Sequence, residues 1–425
     1  MAEVAVLGLG YVGITSLVGL AELGHNVIGV DTNSEKIAAL QGGQLPIHEP
    51  GLQDAFGGVL ESGRVKLSSS YETLSGFAGI VVLCVSTPAT EGGGADLRYL
   101  KSAVASLTGV ISAGSIIAVK STVPIGTSES LAKELEIHGI GVASNPEFLA
   151  EGRALEDFHE PSRIVVGSKS KEVADSVMSL YESINSPRLI CSLATSESIK
   201  YASNAFLALK LSFVNEVASL SEHTGADTSQ VLLGMSMDER IGNKFLSPGP
   251  GWGGSCFPKD TRELVFTGQS LGSPLLTVEA AIESNQNRIH GIAAAVADDL
   301  GGNLSGLKVA IWGLAFKANT DDTRDSPSVG ISKDLADLGA EVVVYDPMAK
   351  GINMDWIRMV DSPLAACEDA SALIVLTEWH EFSEVDPSQV QERLTASPIV
   401  VDTRRILDAQ AWSTLFSRFR VIGQR

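Results

Sequence analysis

The stretch "EVAVLGLGYVGITSLVGLAELGHNVIGVD", residues 3–31, decides the fold of the N-terminal part of the chain. It reads as an apolar strand, a glycine turn, a helix and a second apolar strand, with Gly8, Gly10 and Gly13 in the G-x-G-x-x-G spacing. Such glycines permit a tight turn and let a pyrophosphate approach the backbone at the positive N-terminus of the helix. The second strand ends in an acid, Asp31, about 20 residues after the turn, as a dinucleotide-binding βαβ unit requires. The stretch therefore predicts a dinucleotide site.

Asp31 also indicates which dinucleotide binds. Its carboxylate can accept hydrogen bonds from a ribose diol and would repel a 2′-phosphate. No arginine follows in "DTNSEK", residues 31–36, although Lys36 is long enough to reach the ribose region. We therefore predict NAD rather than NADP as the cofactor, with Tyr11 and Val12 of the glycine turn among its contacts.

Two further apolar strands end in small hydroxylated residues and a proline. They are "GIVVLCVSTP", residues 79–88, and "GSIIAVKSTVPIGT", residues 114–127. In a doubly wound sheet the carboxyl ends of the strands face the ligand crevice, so we expect Thr87, Ser121 and Thr122 near the cofactor. Serine and threonine are also ordinary turn residues, and for one strand end the two interpretations are equal. Two strands with the same pattern favour the site.

The composition excludes some classes of partner. Lysine and arginine number 31 against 51 aspartates and glutamates, a formal charge of 31 − 51 = −20. This balance repels phosphodiester backbones and anionic membranes, so we expect neither nucleic acid nor a membrane as partner. A small anionic ligand stays possible, because glycine loops and a few local cations can bind one.

Length and cysteine usage indicate a multidomain cytoplasmic protein. A chain of 425 residues exceeds the size of one core, so two or three domains are expected. No signal peptide and no apolar run of roughly 20 residues are present in the sequence, which predicts a cytoplasmic location. The cysteines are far apart and form no C-x-x-C pair, so we expect free thiols and no metal site. These cysteines are Cys84, Cys191, Cys256 and Cys367.

The middle of the chain changes to helical periodicity. "SESIKYASNAFLALKLSFVNEVASLSEHTG", residues 196–225, keeps apolar positions at helical spacing over seven or eight turns without a proline. Such a long helix predicts a central connector, part of whose apolar surface forms a subunit interface. Lys200 and Asn204 are four residues apart and so share one face. Lys210 also interrupts the apolar pattern, and exposure of this face of the helix to solvent explains it as well as a functional role does.

A second α/β unit begins near residue 306. "LAELGHNVIGVD", residues 20–31, and "LADLGAEVVVYD", residues 335–346, repeat the same helix end, turn glycine, apolar strand and terminal aspartate. The second copy has only Gly313 where the first has three glycines, so it cannot cradle a pyrophosphate in the same way. We predict that it holds the other end of a large substrate.

The loop "GWGGSCFPKD", residues 251–260, places Cys256 among glycines and charged residues. Cysteines that only fill a core are found among branched apolar side chains, as expected for Cys84. Cys256 is therefore a candidate for chemistry.

Several long segments resemble those of UDP-glucose 6-dehydrogenases, which belong to the wider UDP-glucose/GDP-mannose dehydrogenase family. The resemblance runs from the glycine turn to "VVDTRRILD", residues 400–408. Its most specific segments are "NPEFLAEGRALEDF" (145–158), "ESIKYASNAFLALK" (197–210), "RIGNKFLSPGPGWGGSCFPKD" (240–260) and "GLAFKANTDDTRDSP" (313–327).

The resemblance implies an α/β protein of three domains. These are an NAD-binding Rossmann domain (1–190), a central long-helix domain for homodimer formation (191–302) and a C-terminal Rossmann-like UDP-sugar-binding domain (303–425). It also implies oxidation of UDP-glucose at carbon 6 to the carboxylate, with two NAD⁺ and one active site.

The resemblance assigns the catalytic residues by position. Cys256 matches the nucleophile, which forms a thiohemiacetal and then a thioester. Lys200 matches a lysine that stabilises oxyanions, and Asn204 supports the same oxygen. Asp260 matches a general base that acts through a water near Thr122. Glu147 matches a second carboxylate that serves thioester hydrolysis, and its alternative is an N-terminal helix charge in the turn after "NP". These six side chains are the expected catalytic set.

The resemblance also assigns binding residues. Further cofactor-side candidates are Glu151, Lys259 and Arg324. Arg240 matches an arginine that reaches into the neighbouring subunit's site, Arg404 or Arg405 matches a substrate arginine, and Trp252 is expected to tune the fit of the sugar. The substrate candidates are Phe148, Leu149, Glu151, Lys200, Asn204, Arg240, Phe245, Ser247, Gly251, Trp252, Gly253, Phe316, Lys317 and Arg404.

Two alternatives stay open at this point. One is the same reaction on another nucleotide sugar, GDP-mannose or a UDP-hexosamine. The other is a non-catalytic sensor of NAD or a nucleotide sugar, which predicts the loss of at least one of four side chains, and none is lost. Those four are Cys256, Lys200, Asn204 and Asp260.

Overall fold

A computed structural model of the chain describes residues 1–424. By its internal contacts the chain divides into two compact units. The first contains Met1–Ser203 and Arg262–Ser273, and the second contains Asn204–Thr261 and the residues from Pro274 onward. Each unit has its own sheet, which confirms the predicted α/β class.

The first unit is built around an eight-stranded sheet in the order β3-β2-β1-β4-β5-β6-β7-β8. All neighbouring strands are parallel except β6 and β7. The strands are β1 Glu3–Leu7, β2 Asn26–Val30, β3 Val65–Ser68, β4 Ile80–Leu83, β5 Ile116–Val119, β6 Gly141–Ser144, β7 Ile164–Ser168 and β8 Arg188–Cys191. The first six positions give the 3-2-1-4-5-6 order of a doubly wound dinucleotide-binding fold.

Helices connect these strands and cover the sheet. They are α1 Tyr11–Glu22, α2 Ser34–Gln41, α3 Leu52–Glu61, α4 Arg98–Thr108, α5 Thr127–Leu135, α6 Ala154–His159 and α7 Lys171–Ser179. Two short 3₁₀ segments, Tyr71–Leu74 and Glu136–His138, lie between them. Because strand side chains alternate between the faces of a sheet, Val4 and Val6 of β1 join one apolar core. Ala5 and Leu7 join the core on the opposite face.

Four helices form the middle of the chain. They are α8 Leu193–Thr224, α9 Thr228–Ser236, α10 Phe257–Ser270 and α11 Leu276–Asp299. The predicted long helix is confirmed in α8, whose 32 residues make about nine turns, one or two more than the sequence pattern predicts. Within residues 1–424 no helix is both long enough and apolar enough to cross a membrane.

The second unit contains a six-stranded parallel sheet in the order β11-β10-β9-β12-β13-β14. Its strands are β9 Lys308–Trp312, β10 Glu341–Tyr345, β11 Ile357–Met359, β12 Ala372–Val375, β13 Ile399–Asp402 and β14 Phe419–Val421. Its helices are α12 Pro327–Asp337, α13 Pro363–Cys367, α14 His380–Ser383, α15 Pro387–Gln391 and α16 Ala409–Leu415. This order is again 3-2-1-4-5-6 in sequence terms, as the predicted internal repeat requires.

The repeat extends to individual hydrogen bonds. In the first unit the N–H of Gly8 donates to the end of β2, and the N–H of Leu9 donates to Asp31 at 2.9 Å. In the second unit the N–H of Gly313 donates to the end of β10, and the N–H of Leu314 donates to Asp346 at 2.7 Å. Both turn glycines have positive φ, +85° and +94°, a conformation that favours glycine. The aspartate at each second strand therefore fastens the turn beside it.

Candidate active site

The glycine turn of the first unit is open where a dinucleotide would lie. A Cβ at Gly13 would stand 1.9 Å from the carbonyl oxygen of Gly8, so this glycine is needed for packing. A Cβ at Gly10 would meet no described atom within 4 Å. No side chain among residues 1–424 caps the N-terminus of α1, and its first turn contains no acid. These features fit a pyrophosphate at the positive end of the helix.

Asp31 lies beside this turn with its carboxylate held from three directions. It accepts hydrogen bonds from the N–H of Leu9 at 2.9 Å and of Asn33 at 3.0 Å, and from Nζ of Lys36 at 2.7 Å. Burial alone would raise the pKa of Asp31, but the Lys36 hydrogen bond and the two backbone donors hold it below its usual range. The carboxylate is thus ionised at neutral pH and oriented at the end of β2.

We expect Asp31→Ala to weaken NAD binding and to relax discrimination against NADP. The substitution removes an acceptor for the ribose diol and a charge that repels a 2′-phosphate, and it releases the Lys36 ammonium. The ratio of kcat/KM for NAD to that for NADP should fall by about tenfold or more, or about 1.4 kcal/mol.

Asp346→Ala is the matched control, because Asp346 occupies the same position in the second unit. It should leave the ratio of the two cofactors unchanged. An unchanged ratio in Asp31→Ala would show that Asp31 does not set cofactor choice.

The expected strand-end residues are close to one another. Oγ1 of Thr87 donates to the carbonyl of Thr122 at 2.8 Å, and Oγ of Ser121 donates to the carbonyl of Val85 at 2.6 Å. The ends of β4 and β5 therefore meet at the same edge of the sheet. Their proximity to the cofactor stays a prediction, since these hydroxyl groups also serve as turn donors.

Lys200 and Glu147 form a buried ion pair in the first unit. Nζ of Lys200 lies 2.8 Å from Oε1 of Glu147, and the two side chains are 4% and 7% exposed. Burial alone would raise the pKa of Glu147. The charge and hydrogen bond of Lys200, the N–H of Leu149 and the charge of Lys120 together hold it below the ordinary value.

Glu147 does not act as an N-terminal helix charge. Its other oxygen accepts the N–H of Leu149 at 2.6 Å and so stabilises a local turn, but α6 begins only at Ala154. In the same segment, the guanidinium of Arg163 lies 3.8 Å from the ring centroid of Phe148. The segment that carries the substrate candidates Phe148 and Leu149 is therefore fixed by an ion pair and a cation–π contact.

Asn204 and Asp260 form a second buried polar group, in the second unit. Nδ2 of Asn204 donates to Oδ2 of Asp260 at 2.6 Å, and Nζ of Lys259 donates to Oδ1 at 2.6 Å. Asp260 is 1% exposed. Although Lys200 and Asn204 are one turn apart on α8, their side chains have different carboxylate partners.

Cys256 immediately precedes α10, and its carbonyl accepts the N–H of Asp260 at 2.9 Å. A helix N-terminus favours negative charge, so the position suits a thiolate. Its side chain is half-buried, whereas Cys84 and Cys367 are buried and burial raises the pKa of each thiol to about 12. Cys84 is the apolar space-filling cysteine that the sequence predicts.

The glycine loop before Cys256 is fixed by two helices. Asn285 of α11 accepts the N–H of Trp252 at 2.8 Å and donates to its carbonyl at 2.9 Å. The indole N–H of Trp252 donates to Ser212 of α8 at 2.9 Å, and the side chain is 5% exposed. Gly251, with φ of +139°, would place a Cβ 2.9 Å from Asn285. The indole thus packs against these helices, and its predicted effect on sugar fit would act through the loop backbone.

Further substrate candidates surround this loop in the second unit. A Cβ at Gly253 would stand 2.1 Å from the carbonyl oxygen of Asp325, and the ring of Phe245 packs 6.3 Å from that of Phe257. Ser247 lies at the start of the loop, in irregular structure.

Arg404 and Arg405 have different surroundings. Arg404 donates to the carbonyl of Phe316 at 2.8 Å and to that of Leu376 at 2.7 Å. Arg405 donates instead to the carbonyl of Ile422 at 3.0 Å. Since Lys317 follows Phe316 and is also a substrate candidate, this placement favours Arg404 as the substrate arginine.

Arg240 and Arg324 are surface arginines with local partners. Arg240 pairs with Asp238 at 2.6 Å, and its side chain is 88% exposed. Arg324 pairs with Asp322 at 2.7 Å, and its side chain is 67% exposed. Their predicted roles at the site stay predictions.

Glu49 is a buried acid that the sequence motifs do not indicate. It is 4% exposed and accepts the hydroxyl of Tyr11 and the backbone N–H groups of Gly152, at 2.5 Å, and Ala154, at 2.9 Å. Glu49 thereby ties the first turn of α1 to the segment that contains Glu151. The sequence signal that could have indicated Glu49 is an acid in the short segment "PIHEPGL", residues 46–52, which also contains Ile47 and Leu52.

The groups that would bind a dinucleotide lie in the first unit, at the glycine turn and at Asp31. Among the described residues 1–424, no cluster of three histidine, cysteine, aspartate or glutamate side chains could hold a metal ion. A Rossmann unit with a glycine turn and an acid at the end of its second strand is typical of an NAD-dependent dehydrogenase.

Comparison with known proteins identifies the family. Residues 2–185, 194–287 and 310–409 match the NAD binding, central and UDP binding domains of the UDP-glucose/GDP-mannose dehydrogenase family. The chain belongs to this family, as the resemblance of its segments predicts. The matched ranges do not fix the domain boundaries, which stay predictions.

Relatives match along the whole chain. The chain is 40% identical to a UDP-glucose 6-dehydrogenase of Rhizobium meliloti (strain 1021), covering 99% of each, and 38% identical to one of Rickettsia bellii (strain RML369-C), covering 100% of each. A solved UDP-glucose dehydrogenase from Pyrobaculum islandicum is similar with a TM-score of 0.91 and 36% identity, over 100% of this chain and 98% of that one. A solved UDP-D-ManNAc dehydrogenase from Pyrococcus horikoshii gives 0.88 and 28%, over 99% of each chain.

Proposed function

We propose that the chain oxidises UDP-glucose at carbon 6 to UDP-glucuronate, with transfer of four electrons to two NAD⁺. Both curated relatives described above carry the name UDP-glucose 6-dehydrogenase. The observation that carries the four-electron reaction is the thiol of Cys256 at the start of α10, four residues before the buried Asp260. Oxidation of an alcohol to an aldehyde needs no thiol, whereas oxidation of the aldehyde needs an added nucleophile.

The first half of the reaction converts the primary alcohol to an aldehyde. The hydroxyl proton passes to a base, for which we propose Asp260 acting through water near Thr122, and a bound NAD⁺ would supply the acceptor for the hydride. Nζ of Lys200 stabilises the developing alkoxide, with the amide of Asn204 as a second donor.

The second half uses the cysteine. The thiolate of Cys256 adds to the aldehyde carbon, and the resulting thiohemiacetal loses a hydride to a second NAD⁺ and becomes a thioester. A water that gives its proton to Glu147 then attacks the thioester carbon and releases the carboxylate and the thiol. A cysteine suits this step because a few per cent of an ordinary thiol is already ionised near neutral pH.

A panel of nucleotide sugars tests the substrate. UDP-glucose should give the highest kcat/KM, above UDP-N-acetylmannosamine and GDP-mannose. The second candidate is a UDP-hexosamine, which the likeness to the UDP-D-ManNAc dehydrogenase supports. NADH formation with a UDP-hexosamine but not with UDP-glucose would replace the proposed substrate by this one.

We propose further that the chain is a homodimer through α8. Three large apolar side chains stand exposed along this helix at seven-residue spacing, Phe206 at 63%, Phe213 at 51% and Leu220 at 63%. Residues seven apart lie on one face of a helix, so they form a stripe. A second copy of the chain can cover it in an isologous two-fold contact. Arg240 then completes the neighbouring subunit's site.

The four free thiols and the use of NAD support a cytoplasmic location.

The stripe gives a test of assembly. Phe213→Asp should convert a dimer into monomers, since a two-fold contact brings two buried charges together, and light scattering measures the change. Ile137→Asp is the control, because Ile137 is 86% exposed but lies outside the stripe.

In a second experiment, an Arg240→Ala variant mixed with a Cys256→Ser variant should regain activity, since one site of a mixed dimer has neither defect. A wild-type monomer at working concentration would contradict the dimer.

A further inference from the structure

Lys120 is a buried lysine that the reaction outlined above does not use. It directly follows β5 and is 5% exposed. A charged ammonium out of water costs several kcal/mol unless opposite charge or hydrogen bonds offset that cost. The retention of a cation at this position therefore needs a reason.

The neighbours of Lys120 hold its place but do not neutralise it. Its Nζ lies 3.4 Å from the hydroxyl of Tyr181, longer than an ordinary N–H···O bond, and 5.6 Å from the centre of the tyrosine ring. The hydroxyl of Tyr181 in turn donates to Oδ1 of Asn145 at 2.7 Å, and Asn145 donates to the carbonyl of Val165 at 2.9 Å. This chain of contacts leads to the segment that bears Glu147.

Lys120 and Glu147 line the same cavity of about 40 Å³, which lies entirely within the first unit. The other charged side chains on its walls are Asp157 of α6 and Arg163 just before β7. From α8, Lys200 contacts Glu147 directly, at 2.8 Å. Glu147 thus has two buried ammonium groups near it, one in contact and one across the cavity.

The neighbouring thiol does not compete for this role. Burial raises the pKa of Cys84 to about 12, despite the opposing charge of Lys120, so Cys84 is neutral at working pH. The hydroxyl of Tyr181 donates its hydrogen to Asn145. The other carboxylate on the cavity wall, Asp157, accepts the N–H of Ala150 at 2.8 Å and lies 3.2 Å from the guanidinium of Arg153. The negative group that Lys120 serves is therefore Glu147.

We propose that Lys120 is a positioning residue that keeps Glu147 ionised while Lys200 turns its hydrogen bond to the substrate. The inference rests on the proposed function, because it takes Glu147 as the acceptor of the proton from the hydrolytic water. With Lys200 engaged by a substrate oxygen, Glu147 loses its contact partner, and a buried carboxylate without a cation tends to protonate. Lys120, on the wall of the same cavity, then supplies the remaining positive charge.

The sign of the effect follows from the charges. Removing Lys120 raises the pKa of Glu147, so the carboxylate protonates at a higher pH. The acidic limb of the kcat profile should therefore move upward by about one pH unit in Lys120→Met and in Lys120→Gln. At pH values well above the limb, kcat should approach that of the wild type. The KM values for NAD and the nucleotide sugar should change little.

Tyr181→Phe is the matched control, because it removes the hydrogen bond to Lys120 but keeps the charge. The acidic limb of the kcat profile of this variant should lie at the same pH as that of the wild type. Loss of rate at every pH in both Lys120 variants, with no shift of the limb, would overturn the proposal.

A second measurement does not depend on turnover. Infrared difference titration of the ligand-free Lys200→Ala protein, in which Lys120 is left as the buried ammonium near Glu147, follows the carboxylate band of Glu147, assigned as the band that disappears when Glu147→Gln is added. The band should titrate at higher pH when Lys120→Met or Lys120→Gln is added, and an unchanged midpoint would also overturn the proposal. Failure to oxidise UDP-glucose would count against the proposed function, while this titration would still decide whether Lys120 controls Glu147.

Discussion

Cys256→Ser should fold and bind NAD like the wild type but lose turnover of UDP-glucose by roughly 10³-fold or more. A serine hydroxyl is almost entirely protonated at neutral pH, so it adds slowly to an aldehyde. The ester it would form also hydrolyses more slowly than a thioester. Steady-state NADH production measures the loss, and fluorescence titration measures NAD binding.

Cys191→Ser is the matched control, because Cys191 is another half-buried free thiol of the chain and lies at the end of β8. It should leave turnover unchanged. A wild-type yield of NADH from Cys256→Ser would remove the cysteine from the reaction and with it the covalent route.

Lys200→Ala should lower kcat by about 10²–10³-fold, or about 2.7–4 kcal/mol of barrier, with a much smaller change in KM for UDP-glucose. The ammonium acts most strongly where an oxyanion develops, so its loss affects the transition state more than the ground state. An effect confined to KM would make Lys200 a binding residue.

Stability must be separated from rate in this variant. Removing Lys200 takes the contact partner from the buried Glu147, and breaking a buried ion pair from one side costs about 3–5 kcal/mol of stability. The double variant Lys200→Ala, Glu147→Gln removes both charges and should regain part of that stability. Its kcat should stay low. Recovery of kcat together with stability would indicate that Lys200 is structural.

The fold could be predicted from the sequence because its signals are local. The glycine turn, Asp31 and the repeat at residues 335–346 each lie within a short stretch, where strand and helix periodicity determine the conformation. The hydrogen bonds of Leu9 to Asp31 and of Leu314 to Asp346 show that the repeat is structural and not only a matter of composition.

The partners of the candidate catalytic residues could not be predicted in the same way. The helical spacing places Lys200 and Asn204 on one face of α8. It does not predict that Lys200 pairs with Glu147 or that Asn204 donates a hydrogen bond to Asp260. Those partners come from segments more than 50 residues away, so tertiary packing decides them. The burial of Lys120 could not be predicted either, because a lysine directly after an apolar strand is expected to be exposed to solvent.

The orientation of the Trp252 side chain could not be predicted from the sequence either. The ring is buried against α8 and α11, because the indole N–H of Trp252 donates to Ser212 and its backbone N–H donates to Asn285. A polar group that meets a partner inside the protein has little reason to face a ligand.

Two successive oxidations in one active site determine the ratio of NADH formed to UDP-glucose consumed. The ratio is measured with limiting UDP-glucose and excess NAD⁺, with NADH followed at its absorbance maximum and the sugar nucleotides separated by chromatography. Two NADH per UDP-glucose, with UDP-glucuronate as the product, is the predicted result. One NADH per UDP-glucose, with an aldehyde product, would contradict the account.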